Sequence, residues 1–321
     1  VKILWHSNVP WAPTGYGQQT ALFAPRIRDL GHDVALSATW GLGGDRLDWD
    51  GMTVYPSDDN WGNRTLSAVA GHFGDGEPTL VITLADVWPF TGDSFKQAGV
   101  ASWTPVDHAP TPPKVRAYFE RTGARPIAMS QFGAQMLRKD GLDPLYVPHG
   151  VDTDVYQPRD SDREETRKRM GIDPDAFVVG MVAANKGTAP PRKAFPQVFL
   201  AFAALLKTHP DAVLYLHTEL SGVYDGVNLG ALAEACRIPT GKIKHTSPMA
   251  MEFGVEPELL SRIYSAFDVL AHPSYGEGFG VPIIESQACG TPVIVTDWTS
   301  MTELCGSGWL VDGDPFYDAS Q

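Results

Sequence analysis

The stretch "DVLAHPSYGEGFGVPIIESQACGTPVIVTD", Asp268 to Asp297, decides the fold. "DVLAHPS" is a short apolar run closed by turn residues, as expected of a strand buried on both faces of a parallel sheet. A glycine-rich loop follows. Pro282 suits the first position of a helix carried by "IIESQA", and Gly290 suits the position just past its end. "PVIVTD" is the next strand. Strand, loop, helix and strand make a right-handed crossover whose loop opens at the carboxyl edge of a parallel sheet, where such sheets bind ligands. Glu277 lies in that loop, and Glu285 is placed in the first helical turn, so that both carboxylates contact one elongated ligand. The helix amino end and the amides of Gly278 and Gly280 offer its anionic part a concavity. An acid in a first turn is also favoured by the helix dipole alone, by about 0.3–1 kcal/mol.

Reading outward, strand and helix signals alternate along the whole chain. "VKILWHS", "HDVALSAT", "TLVITLAD", "GVASWTPVD" and "RPIAMS" are strands; "GQQTALFAPRIRDLG" is an amphipathic helix ended by Gly31 and kinked at Pro25, and "QFGAQMLRKD" is another. "RDSDREETRKRMG" reads as a solvated helix that leads into a second cycle of "FVVGMVA", "AFPQVFLAFAALLKTHP", "AVLYLHT", "KIKHTS", "DVLAHPS" and "PVIVTD". The expectation is two doubly wound halves, residues 1–150 and 151–321, joined near 148–160 and facing one another across a cleft. The last strand signal, in "GWLVDGDPFYDASQ", is followed by no helix.

Composition narrows the classes. The 321 residues, 43% hydrophobic and 20% charged, suffice for two cores, and no apolar run reaches membrane-spanning length. No signal peptide precedes "VKILWHSN", so a cytoplasmic location is expected. Cys236, Cys289 and Cys305 are odd in number and widely spaced, which favours free thiols over a disulfide framework or a metal cluster. A net charge of −13 argues against a broad nucleic-acid surface.

Three further segments carry candidate chemistry. In "SNVPWAPTGYGQQT", Gly15, Tyr16 and Gly17 are placed between the first strand and the first helix. The segment lacks the third glycine of a dinucleotide fingerprint and an acid after the second strand, so it suits backbone approach to a phosphate or sugar rather than nicotinamide binding. In "WTPVDHAP", His108 ends an apolar strand, where it can meet a sugar hydroxyl or a developing positive charge. In "AANKGTAPPRKAF", Arg192 and Lys193 stand between a strand and a helix, a costly place for cations and one that suits a diphosphate. The aspartates of "DWD" at Asp48 and "DSD" at Asp160 sit in a turn and a polar linker, and no obligatory metal is expected.

These residues resemble a known family. "EGFGVPIIE" is similar to the glutamate, seven residues, glutamate signature of retaining glycosyltransferases of the GT-B fold, and most like glycosyltransferase family 4. "PPRKAF" resembles the family's phosphate-binding segment, "VPHGVDTDVYQP" its interdomain segment and "HPSYGEGFG" its strand-loop passage. The match spans most of the second half; in the first, the order of elements and "TGYG" agree. The resemblance implies an α/β GT-B chain of two Rossmann-like domains around a central cleft, with the acceptor on the first and a nucleotide-sugar donor on the second. Arg192 and Lys193 would hold the donor diphosphate, Glu285 the ribose, and Glu277 would face the transferring sugar. Gly278, Phe279, Gly280 and Val281 would supply main-chain amides, and Gly15 would approach from the other domain. His108 matches the family's first-domain histidine by its strand-end setting. Family members usually end with a helix crossing back to the first domain; this chain stops before it.

The reaction so implied moves a sugar from a nucleoside diphosphate with retention, by same-face attack in which the leaving phosphate takes the acceptor proton, with no cofactor and no metal. Two alternatives stand beside it: a GT-B phosphorylase or sugar-nucleotide epimerase, and a nucleotide-sugar-binding protein without catalysis. The acceptor is open among glycan, lipid, protein side chain, small molecule and modified DNA. The first half is rich in tryptophan, whose faces stack on sugars or bases.

Overall fold

The computed structural model describes residues 1–97, 99–187 and 191–313. The chain divides between Gly150 and Val151 into two compact units.

The first unit contains β1 (Lys2–Ser7), α1 (Gly15–Asp29), β2 (Asp33–Ala38), β3 (Leu47–Trp49), β4 (Met52–Tyr55), α2 (Leu66–Gly74), β5 (Thr79–Leu84), α3 (Ser94–Gln97), β6 (Gly99–Thr104), α4 (Pro113–Thr122), β7 (Arg125–Ala128), α5 (Gln131–Lys139) and β8 (Leu145–Tyr146). Its sheet has the order β3-β4-β2-β1-β5-β6-β7-β8. Every neighbouring pair is parallel except β3 with β4, a hairpin whose two linking residues, Asp50 and Gly51, both have positive φ. β1 and β2 are buried over nearly their whole length, which is why they read as apolar runs. Helices close the core around Leu4, Val81, Phe90, Phe95 and Leu137. α1 runs on past Pro25, to Asp29.

The second unit contains α6 (Arg163–Arg169), β9 (Val178–Val182), α7 (Phe195–Leu205), β10 (Val213–His217), α8 (Leu229–Ala235), β11 (Ile243–His245), α9 (Pro248–Phe253), α10 (Pro257–Ser265), β12 (Val269–His272), α11 (Val281–Ala288), β13 (Val293–Thr296), α12 (Ser300–Leu304) and β14 (Gly308–Val311). The sheet order is β11-β10-β9-β12-β13-β14, parallel throughout. Two cores cover its faces, one around Val178, Tyr264, Phe267 and Ile283, the other around Met181, Phe195, Phe199 and Leu214. Gly180 is where the first core presses closest on the sheet: a Cβ there would lie 2.1 Å from the Phe267 ring.

The helix expected to be solvated is only partly so. Arg167 of α6 is buried, donating to the carbonyls of Pro174 (2.6 Å), Ala176 (2.9 Å) and Ala266 (2.9 Å) and to the Asp268 carboxylate (2.8 Å). Asp268 in turn accepts from the Val178 amide at 2.7 Å, so one acid ties α6 to the starts of β9 and β12. Asp48 lies on β3 rather than in a turn. The end of the chain after Gly313, including "DPFYDASQ", lies outside the described residues.

Candidate functional site

At the carboxyl edge of the second sheet, β12 gives way to residues 273–280 before α11 begins. This loop is pinned from several directions. The Tyr275 amide donates to the Arg192 carbonyl (2.9 Å), the Thr296 hydroxyl to the Ser274 carbonyl (2.8 Å), and the Glu277 amide to the Thr299 hydroxyl (3.0 Å). The Ser300 hydroxyl is shared between the carbonyls of Glu277 (2.9 Å) and Phe279 (2.6 Å). Gly280, at φ +105°, makes the turn into the helix, where a Cβ would meet Ile283 at 2.8 Å.

The result is a fixed carboxylate. Glu277 is buried, and three donors converge on it: Arg192 Nη1 on Oε2 at 3.1 Å, His272 Nε2 on Oε1 at 3.0 Å, and Lys193 Nζ on Oε1. Burial pushes this acid up, but Lys193, Arg192 and His272 together outweigh it and hold the carboxyl well below the usual range. His272 is lowered by its own burial against the pull of Glu277. An ionised acceptor at Nε2 requires the proton there, and Nδ1 has no hydrogen-bond partner among the described residues, which favours the neutral ring. Arg192 also donates to the Gly276 carbonyl at 2.6 Å, and its side chain is 45% exposed against 14% for Lys193. Arg192 therefore reaches solvent while gripping the acid, and Lys193 is largely buried. Of the segment that carries them, Thr188, Ala189 and Pro190 lie outside the described residues.

Arg192, Lys193 and Glu277 are thus brought together, as the sequence suggested. Gly278, Phe279 and Val281 are buried beside them. Glu285 is placed differently. α11 begins at Val281 with Gly280 as its N-cap, which puts Pro282 second and Glu285 in the second turn. Its carboxylate is 3% exposed and accepts from Tyr264 Oη at 2.7 Å and from Tyr156. Burial pushes it up to about 7 against those two hydrogen bonds. The two acids therefore stand in different surroundings, Glu277 among cations at the sheet edge and Glu285 among tyrosine hydroxyls in the core.

In the first unit, Gly15, Tyr16 and Gly17 form the opening turn of α1 rather than a loop before it. Thr14 is the N-cap, its hydroxyl accepting from the Gly17 amide at 3.0 Å. A Cβ on Gly17 would sit 2.4 Å from the Ala12 carbonyl, so this glycine serves helix packing, whereas Gly15 faces open space. The Tyr16 hydroxyl donates to Asp86 at 3.2 Å. His108 Nδ1 lies 2.7 Å from Asp107 Oδ1, and its ring is partly exposed.

Sequence reasoning missed His272, Thr299 and Ser300. His272 had a signal, since it ends a buried strand five residues before the acid. Thr299 and Ser300 belong to the next crossover, and only the fold brings them to Glu277.

Two units, each a Rossmann-like sheet that is parallel apart from the β3–β4 hairpin of the first, match over nearly all of the chain to solved glycosyltransferase structures. The fold is GT-B. Sucrose-phosphate synthase from Thermosynechococcus elongatus matches with a TM-score of 0.73 at 18% identity, over 97% of this chain and 86% of its own. Anabaena HepE, in complex with UDP-glucose, matches at 0.70 and 19% identity, over 97% and 85%. At the sequence level, residues 176–319 of this GT-B chain match the family model of glycosyl transferases group 1. The D-inositol 3-phosphate glycosyltransferase of Paenarthrobacter aurescens (strain TC1) is 35% identical over 194 residues, 58% of this chain and 42% of that relative. The match therefore spans less than half of the curated relative's length.

Proposed function

We propose that this protein is a retaining glycosyltransferase that transfers a sugar from a nucleoside-diphosphate sugar to an acceptor, without a metal ion. The observation that carries the reading is the Glu277 carboxylate held between Arg192, Lys193 and His272 at the carboxyl edge of a parallel sheet. Breaking the anomeric bond leaves negative charge on the departing diphosphate. Two cations beside the start of α11 supply the compensation that a divalent ion supplies elsewhere. An arriving diphosphate competes with Glu277 for both cations; His272, buried on β12, stays with the acid and keeps it in place to meet the sugar. The matched family model over residues 176–319 and the UDP-glucose held by Anabaena HepE support a nucleotide sugar as donor.

The test is donor cleavage. UDP-, GDP- and ADP-sugars are screened by thermal shift, since a donor at 100 times its Kd stabilises by about 2.7 kcal/mol. Nucleotide release from the stabilising donor is then followed in single turnover. Arg192→Ala slows it by roughly 10²–10³ while the variant stays folded. Near-normal release in folded Arg192→Ala rejects the role.

A further inference from the structure

Of the seven tryptophans of the first unit, Trp49 is half-buried on β3 and the other six fall into two sets. Trp5 and Trp103 are core, packed edge to face with ring centroids 6.2 Å apart. Trp11, Trp40, Trp61 and Trp88 are 44%, 54%, 45% and 46% exposed. Each of these four lies in the segment that leaves the carboxyl end of a strand: Trp11 after β1, Trp40 after β2, Trp61 after β4 and Trp88 after β5. Those strands are consecutive neighbours in the sheet, in the order β4-β2-β1-β5, and all run parallel. Their exit segments therefore share one edge, carrying Trp61, Trp40, Trp11 and Trp88 in that order. At about 4.8 Å between strands, the row spans about 14 Å, the length of a short oligosaccharide.

The row is held by backbone bonds. Trp11 Nε1 donates to the Gly41 carbonyl at 3.2 Å, and the Trp40 carbonyl accepts from the Val9 amide at 3.1 Å. Trp61 has a φ of 56°, costly for so large a residue. It is kept there by Asp58, which accepts from the amides of Asn60 (2.9 Å), Gly62 (2.8 Å) and Arg64 (3.1 Å), and by His6, whose Nε2 meets the Trp61 carbonyl at 3.1 Å. Half-exposed indoles on four adjacent strand exits, one of them strained, are not what core packing produces.

Charge selects the ligand. Residues 8–14, 39–46, 56–65 and 85–93, which make up the four segments, hold five aspartates against two arginines, in a chain of net charge −13; one further cation, Lys114, lies over the Trp88 ring with Nζ 5.8 Å from its centroid. Polyphosphate backbones and anionic bilayers are repelled by such a surface. Aromatic faces interleaved with carboxylates and amides, which accept from hydroxyls, suit a neutral polyhydroxyl chain. We propose that this edge binds a neutral oligosaccharide. The assignment of that glycan as acceptor rests on the glycosyltransferase reading; the binding itself does not, and it is measured without donor.

The full chain is applied to a glycan array, and its strongest ligand is titrated by calorimetry beside the single-stranded oligonucleotide dT20 and phosphatidylglycerol vesicles. Neutral glycans are expected to bind, and dT20 and vesicles are not. Trp11→Ala and Trp40→Ala each weaken the glycan by roughly 2- to 12-fold, Trp40→Phe retains most of the affinity, and all three variants melt with the parent. Absence of glycan binding, binding that survives the Trp11→Ala/Trp40→Ala pair, or binding of dT20 or vesicles instead overturns the inference. Binding of UDP-, GDP- and ADP-sugars is measured alongside. Its retention without glycan binding strikes this inference alone, and its loss with glycan binding intact strikes the donor reading alone.

Discussion

Replacing Glu285 by Gln should remove a pH dependence of stability that the parent carries. The side chain is 3% exposed, and its two partners are tyrosines that burial and Glu285 itself push upward, so both remain protonated donors. With the folded value at about 7 and an unfolded value of 4.5, the folded chain keeps a proton that the unfolded chain releases. A raised acid favours folding fully below the unfolded value, and that contribution is lost as pH rises through the folded one. Integrated from pH 5 to pH 8, the loss is about 2–3 kcal/mol. Gln keeps the shape, accepts from one tyrosine and donates to the other, and does not titrate. The assay is native-state hydrogen exchange by mass spectrometry on peptides covering α11 and β13, at pH 5, 6, 7 and 8 after correction for intrinsic exchange. It reads the opening free energy of that region even where the two units unfold separately. The parent should lose about 2–3 kcal/mol across the series relative to the variant. Parallel curves for the two proteins would refute the reasoning, because they would mean that Glu285 is ionised throughout.

Two further outcomes follow from the same geometry. Glu277→Gln leaves Lys193 largely buried without its counter-charge, at a cost of about 3–5 kcal/mol; the more exposed Arg192 pair adds little. Saturating UDP should restore more stability, measured by thermal shift, in this variant than in the parent, since the freed cations no longer have to be taken from an acid. In the parent, the Glu277 contribution is present above pH 4.5 and is lost as pH falls through its depressed folded value. Gly180→Ala drives a methyl against the Phe267 ring and should cost about 1–3 kcal/mol in urea unfolding. Adding Phe267→Leu should return part of that loss; no return would mean that backbone freedom, not space, is what the glycine supplies.

Much of the fold was legible because parallel strands covered on both faces must be apolar throughout, and runs such as "VVGMV" and "VLYLH" announce themselves. The hairpin of β3 and β4 has one sequence signal, Asp50-Gly51 between Trp49 and Met52, the dipeptide such a turn asks for. Its strands are short, and β3 lies largely exposed, so hydrophobic patterning gave no help. The glycines at 15 and 17 have the composition of a loop, while the N-cap that fixes the start of α1 is Thr14. Arg167 stands in a charge cluster, and such clusters are usually solvated. What buries it is Asp268, a hundred residues further on, with a set of carbonyls that only the folded sheet brings within reach.

The two glutamates show what spacing alone leaves open. Eight positions separate Glu277 from Glu285, one on a loop and one on a helix, and the count does not say which way either side chain faces. The fold surrounds the first with two cations and an imidazole, and a buried carboxylate so compensated ionises more readily than in water. It surrounds the second with two hydroxyls, which can orient an acid but cannot neutralise it, and the same burial then favours the proton. The difference follows from partners that arrive along other stretches of chain: Arg192 and Lys193 just before α7, Tyr264 on α10, and Tyr156 soon after the first unit ends. A signature of two acids is therefore two distinct chemical groups, one held ionised by its cations at the sheet edge and one whose protonated form burial favours inside the second unit. A substitution at either should leave a different trace in pH dependence even where both abolish turnover.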